Sequence, residues 1–111
     1  MLTADDEDDS ERLAADLADV AGALVIDVRR APAFAQSPHM LPGAVRGDPD
    51  AIADWSRALE PGRAIVVYCV FGHEVSRNAA RQLCAQGLQA RFLRGGIAAW
   101  EAAGLPLAHK P

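Results

Sequence analysis

A chain of 111 residues, 50% hydrophobic and 23% charged, has the size and make-up of one globular domain with a core of its own. Two cysteines are too few for a disulfide-built scaffold, and no stretch approaches the roughly 18 uninterrupted apolar residues that cross a bilayer. The net charge of −4 is gathered at the start, where Met1 to Arg12 hold six acids and one base, so the remainder is nearly neutral and has no basic face for nucleic acid. The same start, "MLTADDEDDS", lacks the basic and apolar segments of a secretory signal. A cytoplasmic location with reduced thiols is therefore expected, with neither membrane nor nucleic acid as partner. Residues 1–10 read as an acidic, solvated tail.

Ser10 is placed to cap a first helix over Glu11–Ala21, with Leu13, Leu17 and Val20 on one face and Gly22 ending it. "ALVIDVR", Ala23 to Arg29, is a short apolar run of the kind found in strands buried on both faces. "APAFAQSP" places a proline in a first helical turn, so a short helix follows. A turn in "HMLPGAV" enters a short strand near Ala44 and Val45, and Pro49 to Leu59 has helical spacing, with Ile52, Trp55 and Leu59 together. Beyond the turn "EPGR", the run "AIVVYC", Ala64 to Cys69, is the most strand-like in the chain. A helix is expected over Glu74–Gln86 with Gly87 as its cap, then a strand over Ala90–Leu93 and a last helix over Gly95–Gly104. Residues 108–111 read as a second tail, leaving His109 disordered. Trp55 and Trp100 read as packing residues, and Tyr68 lies on its strand without an assigned role.

Strands alternate with helices, and the strands are continuous apolar runs. This predicts an α/β fold with a mainly parallel central sheet and helices on both faces. Sites in such sheets form where strand carboxyl ends give way to loops. Cys69 stands at such an end, followed by "VFGHEVS". It is either a small apolar core residue or a nucleophile. In the second case Gly72 permits a tight turn, and the amides of Val70, Phe71, Gly72, His73, Glu74, Val75 and Ser76 converge on the sulfur and stabilise a thiolate or a bound anionic group. His73 either donates to the bound sulfur or its leaving group, or points into solvent. Ser76 either caps the helix, the favoured reading, or offers its hydroxyl to the site. Phe71 is expected to form an apolar rim.

At this point the chain resembles the single-domain rhodaneses, a sulfurtransferase family, through four segments in order. "VIDVRRAPAF" resembles the family's D-x-R and short helix. "MLPGAV" resembles its H-I-P-G-A, and "VVYCVFGHEVSRNAARQL" its strand, cysteine loop and helix. "FLRGGIAAWEAAGLPL" resembles L-x-G-G-x-x-x-W-x-x-x-G-x-P. The resemblance covers residues 11–107 and implies a rhodanese-like fold. It also implies a Cys69 that takes a sulfane sulfur from a small-molecule donor such as thiosulfate or a persulfide. That sulfur would be carried as a persulfide to a thiol, cyanide or protein acceptor, without cofactor or metal. Asp27 and Arg29 resemble residues that support the loop from behind, and a salt bridge between them is expected.

Two departures bear on the substrate. Met40 stands where the family has His, with His39 beside it. Family loops carry an Arg or Lys soon after the cysteine, but here that region holds Glu74, which repels anions such as thiosulfate. The acid also fits a non-catalytic binding or sensor module, and the "GHEVS" form resembles rhodanese-like proteins found alongside chromate resistance. Phosphate chemistry of the Cys-x5-Arg type is disfavoured, because after five intervening residues Cys69 is followed by Val75 and the first arginine is Arg77. A Cys69–Cys84 dithiol is disfavoured too. A helix between them would separate the pair by about 15 Å, against the 7 Å or so a disulfide allows. Cys84 thus reads as an inert core thiol.

Overall fold

The computed structural model describes residues 12–110. Its principal sheet has five strands: β1 (Ala14–Ala15), β2 (Leu24–Asp27), β4 (Val45–Arg46), β5 (Ala64–Tyr68) and β6 (Gln89–Leu93). Their spatial order is β1-β6-β5-β2-β4, and every pairing is parallel. The helices are α1 (Ala31–Gln36), α2 (Ile52–Trp55), α3 (Glu74–Ala85) and α4 (Gly96–Ala102), with 3-10 turns at Leu17–Val20 and Ser56–Ala58. A separate antiparallel pair joins β3 (His39–Met40) to β7 (Ala108–His109).

β5 occupies the middle of the sheet, so its side chains alternate between two cores. Ile65 and Val67 enter the core that includes Ala79, Ala80 and Leu83 of α3. Val66 and Tyr68 enter the other, beside Ile97 and Trp100 of α4. Covering both faces removes any need for polar residues on the strand, which is why "AIVVY" is uninterrupted. The α/β architecture expected from the sequence is thus present, with Cys69 one residue beyond the central strand.

Three expectations need correction. The helix expected over Glu11–Ala21 does not continue past Arg12: Ser10 and Glu11 lie outside the described residues, and beyond a turn at Leu13 the chain forms β1 and a 3-10 turn. Ala14 lies in one core and Ala15 in the other, a division that an extended edge strand achieves and one helical face cannot. The carbonyls of Leu13 and Ala15 accept hydrogen bonds from Phe92 (2.8 Å) and Arg94 (2.9 Å), so sheet pairing overrides alanine's helix preference.

The helix expected from Pro49 shrinks to α2 and a 3-10 turn. Asp48 holds its start in a turn: its carboxylate accepts the Asp50 amide at 2.8 Å, and its carbonyl accepts the Trp55 indole N–H at 2.9 Å. Trp55 is accordingly half-buried against the first core, whereas Trp100 is buried in the second. Finally, His109 is not in a disordered tail. It pairs with His39 across the β3–β7 ladder, their ring centroids 5.1 Å apart, and the Lys110 amide donates to the Pro38 carbonyl at 2.9 Å.

Candidate active site

The cysteine loop is held by glycines on both sides. Gly72 has φ +73°, and a β-carbon there would lie 2.6 Å from the Gly95 nitrogen and the Leu93 carbonyl oxygen. Gly96 has φ +61°, and a β-carbon there would lie 2.5 Å from the carbonyl oxygens of Cys69 and Val70. No L-side chain fits either position without moving backbone. The close approach lets the Ile97 and Ala98 amides, at the start of α4, donate to the Cys69 and Val70 carbonyls at 3.0 Å each. Arg77 Nε adds a 3.3 Å bond to the Gly72 carbonyl. The paired glycines of "LRGG" therefore serve to lock the loop.

Cys69 is 6% exposed and is a free thiol. Its Sγ lies 3.1 Å from the Ser76 hydroxyl, and that hydroxyl lies 3.4 Å from the His73 carbonyl oxygen. Ser76 is fully buried in the first turn of α3 and does not occupy the cap position, which belongs to His73. The expectation that Ser76 caps the helix gives way to a hydroxyl facing the thiol. While sulfur is protonated, Ser76 can accept from it and donate to His73. Once sulfur is a thiolate, the same hydroxyl can turn and donate to it.

A cavity of about 260 Å³ opens over the sulfur. The loop contributes Val70, Phe71, His73, Glu74 and Val75, and the β2–α1 corner contributes Arg29, Arg30 and Ala33. Phe71 is 59% exposed and forms an apolar edge. His73 and Glu74 are both exposed. Of the loop residues expected to gather at the sulfur, Gly72 turns away to pack on Gly95, and Ser76 lies beneath. Among the described residues no three His, Cys, Asp or Glu side chains converge as a metal site.

Behind the cavity, Asp27 and Arg29 form a buried pair. Arg29 Nε reaches both carboxylate oxygens, at 3.1 and 3.0 Å, and Nη2 lies 2.7 Å from Oδ2. Nη2 also donates to the His39 carbonyl at 2.8 Å, so the backbone of His39 anchors Arg29, while its ring lies beside that of His109. Met40 is buried. Asp27 itself does not reach the cavity, and Arg29 stands between them.

Two residues without a role in the sequence reading complete this network. The Tyr68 hydroxyl donates to Asp27 Oδ2 at 2.8 Å and accepts the Leu41 amide at 3.2 Å. Burial, reinforced by the Asp27 charge, holds that hydroxyl protonated well beyond the ordinary phenol range. Arg46 donates to the Asp27 carbonyl at 3.0 Å and lies 3.9 Å from its carboxylate. The polar ends of Tyr68 and Arg46, each at a strand terminus, were the available signals.

The fold and loop define a small parallel α/β domain that presents one thiol at the carboxyl end of its central strand. Residues 9–103 match the Rhodanese-like domain family, and the chain belongs to that family. A protein named "Sulfurtransferase" from Allochromatium vinosum is 35% identical over 108 residues, covering 91% of this chain and 92% of that one. "Thiosulfate sulfurtransferase GlpE" from Pseudomonas savastanoi pv. phaseolicola is 37% identical over 82 residues, covering 73% and 74% of the two chains. A crystal structure of a rhodanese-related protein from Thermoplasma volcanium shares the fold at TM-score 0.76 and 23% identity, over 87% of this chain and 98% of that one.

Proposed function

We propose that the protein is a sulfurtransferase in which Cys69 receives a sulfane sulfur and passes it to a thiophilic acceptor. The observation that carries this reading is the placement of the Cys69 sulfur, 3.1 Å from a buried hydroxyl and at the base of a cavity. Membership of a family with relatives named as sulfurtransferases supports it.

In the first half-reaction the Cys69 thiolate attacks the outer sulfur of the donor. A new S–S bond forms at Cys69 as the donor's S–S bond breaks, and the bonding pair leaves with the departing group: sulfite from thiosulfate, or a thiolate from a persulfide. In the second, a thiolate or cyanide attacks the outer sulfur of the Cys69 persulfide and the Cys69 thiolate departs. Each step conserves charge and needs no external oxidant or reductant. Ser76 donates to whichever sulfur anion lies beside it, and the bonds from Ile97 and Ala98 keep the loop from collapsing between the steps.

The test is intact mass spectrometry of the purified protein after incubation with thiosulfate or a small persulfide. The expected result is a gain of one sulfur atom, removed by cyanide and absent in Cys69→Ser, with the variant's circular dichroism unchanged. A protein that no donor loads at Cys69 is not a sulfurtransferase of this kind.

A further inference from the structure

The charges around the Cys69 cavity come from two separate elements. The β2–α1 corner supplies Arg29 and Arg30, and the loop leading into α3 supplies Glu74. Arg29 is held by Asp27 at 2.7 Å, a carboxylate that it shares with Arg46, and its fork is committed to that buried network. Among the described residues Arg30 and Glu74 are held in no ion pair, so both are available to a ligand. Beside the imidazole of His73, the lining thus offers one free cation and one free anion, with Val70, Val75 and Phe71 among its apolar residues. Such a site sets Glu74 against the two like charges of thiosulfate, and it is matched in sign by a molecule carrying one charge of each kind. Its volume of about 260 Å³ lies below the range that holds drug-sized ligands and suits an amino-acid-sized molecule.

We propose that the sulfur donor is a small zwitterionic persulfide, an aminothiol persulfide whose ammonium is recognised by Glu74 and whose carboxylate is recognised by Arg30. This rests on Cys69 acting as sulfur acceptor. The Cys69 thiolate attacks the outer sulfur of the donor's S–SH group, the donor's S–S bond breaks, and the aminothiol leaves as its thiolate and takes a proton from water. The persulfide remains on Cys69, and no net oxidation occurs. Phe71 and the two valines contact the donor's methylene, while Glu74 and Arg30 act on the ammonium and the carboxylate carried by its α-carbon, making them specificity-determining residues.

The experiment compares initial rates of sulfur loading on Cys69 from four donors. These are cysteine persulfide, N-acetylcysteine persulfide without the ammonium, cysteamine persulfide without the carboxylate, and thiosulfate. For exposed charge contacts the expected preference for cysteine persulfide is about fivefold over each singly charged analogue, and greater over thiosulfate. Glu74→Gln should abolish discrimination against the N-acetyl donor and improve thiosulfate use. Arg30→Gln should abolish discrimination against the cysteamine donor. Each variant serves as its own reference through the donor ratio, so a change in helix stability does not mimic the result. Equal rates from all donors, thiosulfate as the best donor, or ratios unmoved by both substitutions would overturn the zwitterion proposal while leaving sulfur transfer intact. No loading from any donor would overturn both.

Discussion

Each end of the sheet carries a thiol beside a cavity, and the two ends behave differently. At the carboxyl end Cys69 is buried under a cavity of about 260 Å³; at the other, half-buried Cys84 lines one of about 320 Å³ with Asp19, Ala64 and Arg91. Neither volume nor exposure separates them in the functional direction, since the larger cavity and the more accessible sulfur belong to Cys84. The sulfur's polar partner does. Cys84 donates to the Ala90 carbonyl at 3.2 Å, and a carbonyl can only accept, so that partner offers no hydrogen bond to a thiolate. Cys69 faces a hydroxyl that can donate to a thiolate. Reactivity in this fold follows from what the surrounding backbone leaves available, and strand carboxyl ends give loops that helices such as α4 can grip.

The carboxylates sharpen the contrast most. Asp27 sits fully buried between Arg29, Tyr68 and Arg46, whereas Asp19 at the opposite end pairs with Arg91 at 3.4 Å, both side chains well exposed at 39% and 44%. Asp27→Asn leaves the Arg29 charge uncompensated in the interior and should cost about 3–5 kcal/mol in urea unfolding. Asp19→Asn should leave the midpoint unchanged within error. Similar losses at the two positions would mean that the buried network does not stiffen the site end of the sheet.

Alkylation tests the thiols directly. With limiting iodoacetamide at neutral pH, Cys69 should be modified about 100-fold faster than Cys84 despite being the more buried of the two, as peptide mapping would show. Faster modification of Cys84 would make exposure, and not local chemistry, the governing factor.

Tyr68 gives the next smaller effect. Its folded-state pKa is raised by burial and by Asp27, so its contribution is fully present below about pH 10 and is lost as pH rises beyond that value. It is the only tyrosine in the chain, so tyrosinate absorbance reports this residue alone. The expected result is no tyrosinate signal until the protein unfolds in alkali. Tyr68→Phe, which orphans the buried Leu41 amide and removes a donor from Asp27, should cost about 2 kcal/mol at neutral pH. An ordinary phenol titration in the folded protein would contradict the buried placement.

The legible parts of this protein were local. The strand, cysteine, glycine loop and helix follow one another within 22 residues, Ala64 to Ala85, and the paired glycines need no distant partner to be recognised. Parts built by long-range pairing were not legible. β1 draws its conformation from Phe92 and Leu93, and β7 finds its partner at His39 and Met40. Tyr68 meets Asp27 across 41 residues and Arg46 meets it across 19, distances over which side-chain type alone carries no signal. The capping role favoured for Ser76 failed for a different reason: serine early in a helix is a good cap, and only the sheet's geometry brings Cys69 to its hydroxyl.

That hydroxyl supports the smallest and most specific prediction. Ser76 is fully buried, but removing one oxygen leaves only a small void, so Ser76→Ala should fold normally. It deprives the Cys69 thiolate of a donor at 3.1 Å while leaving the Cys84–Ala90 contact untouched. Sulfur loading and alkylation at Cys69 should fall together by about tenfold, equivalent to about 1.4 kcal/mol, with Cys84 alkylation unchanged. If both thiols slow equally, the substitution has loosened or shifted the fold as a whole. If neither slows, the loop amides alone suffice to hold the anion, and the difference between the two ends of the sheet lies in backbone rather than in Ser76.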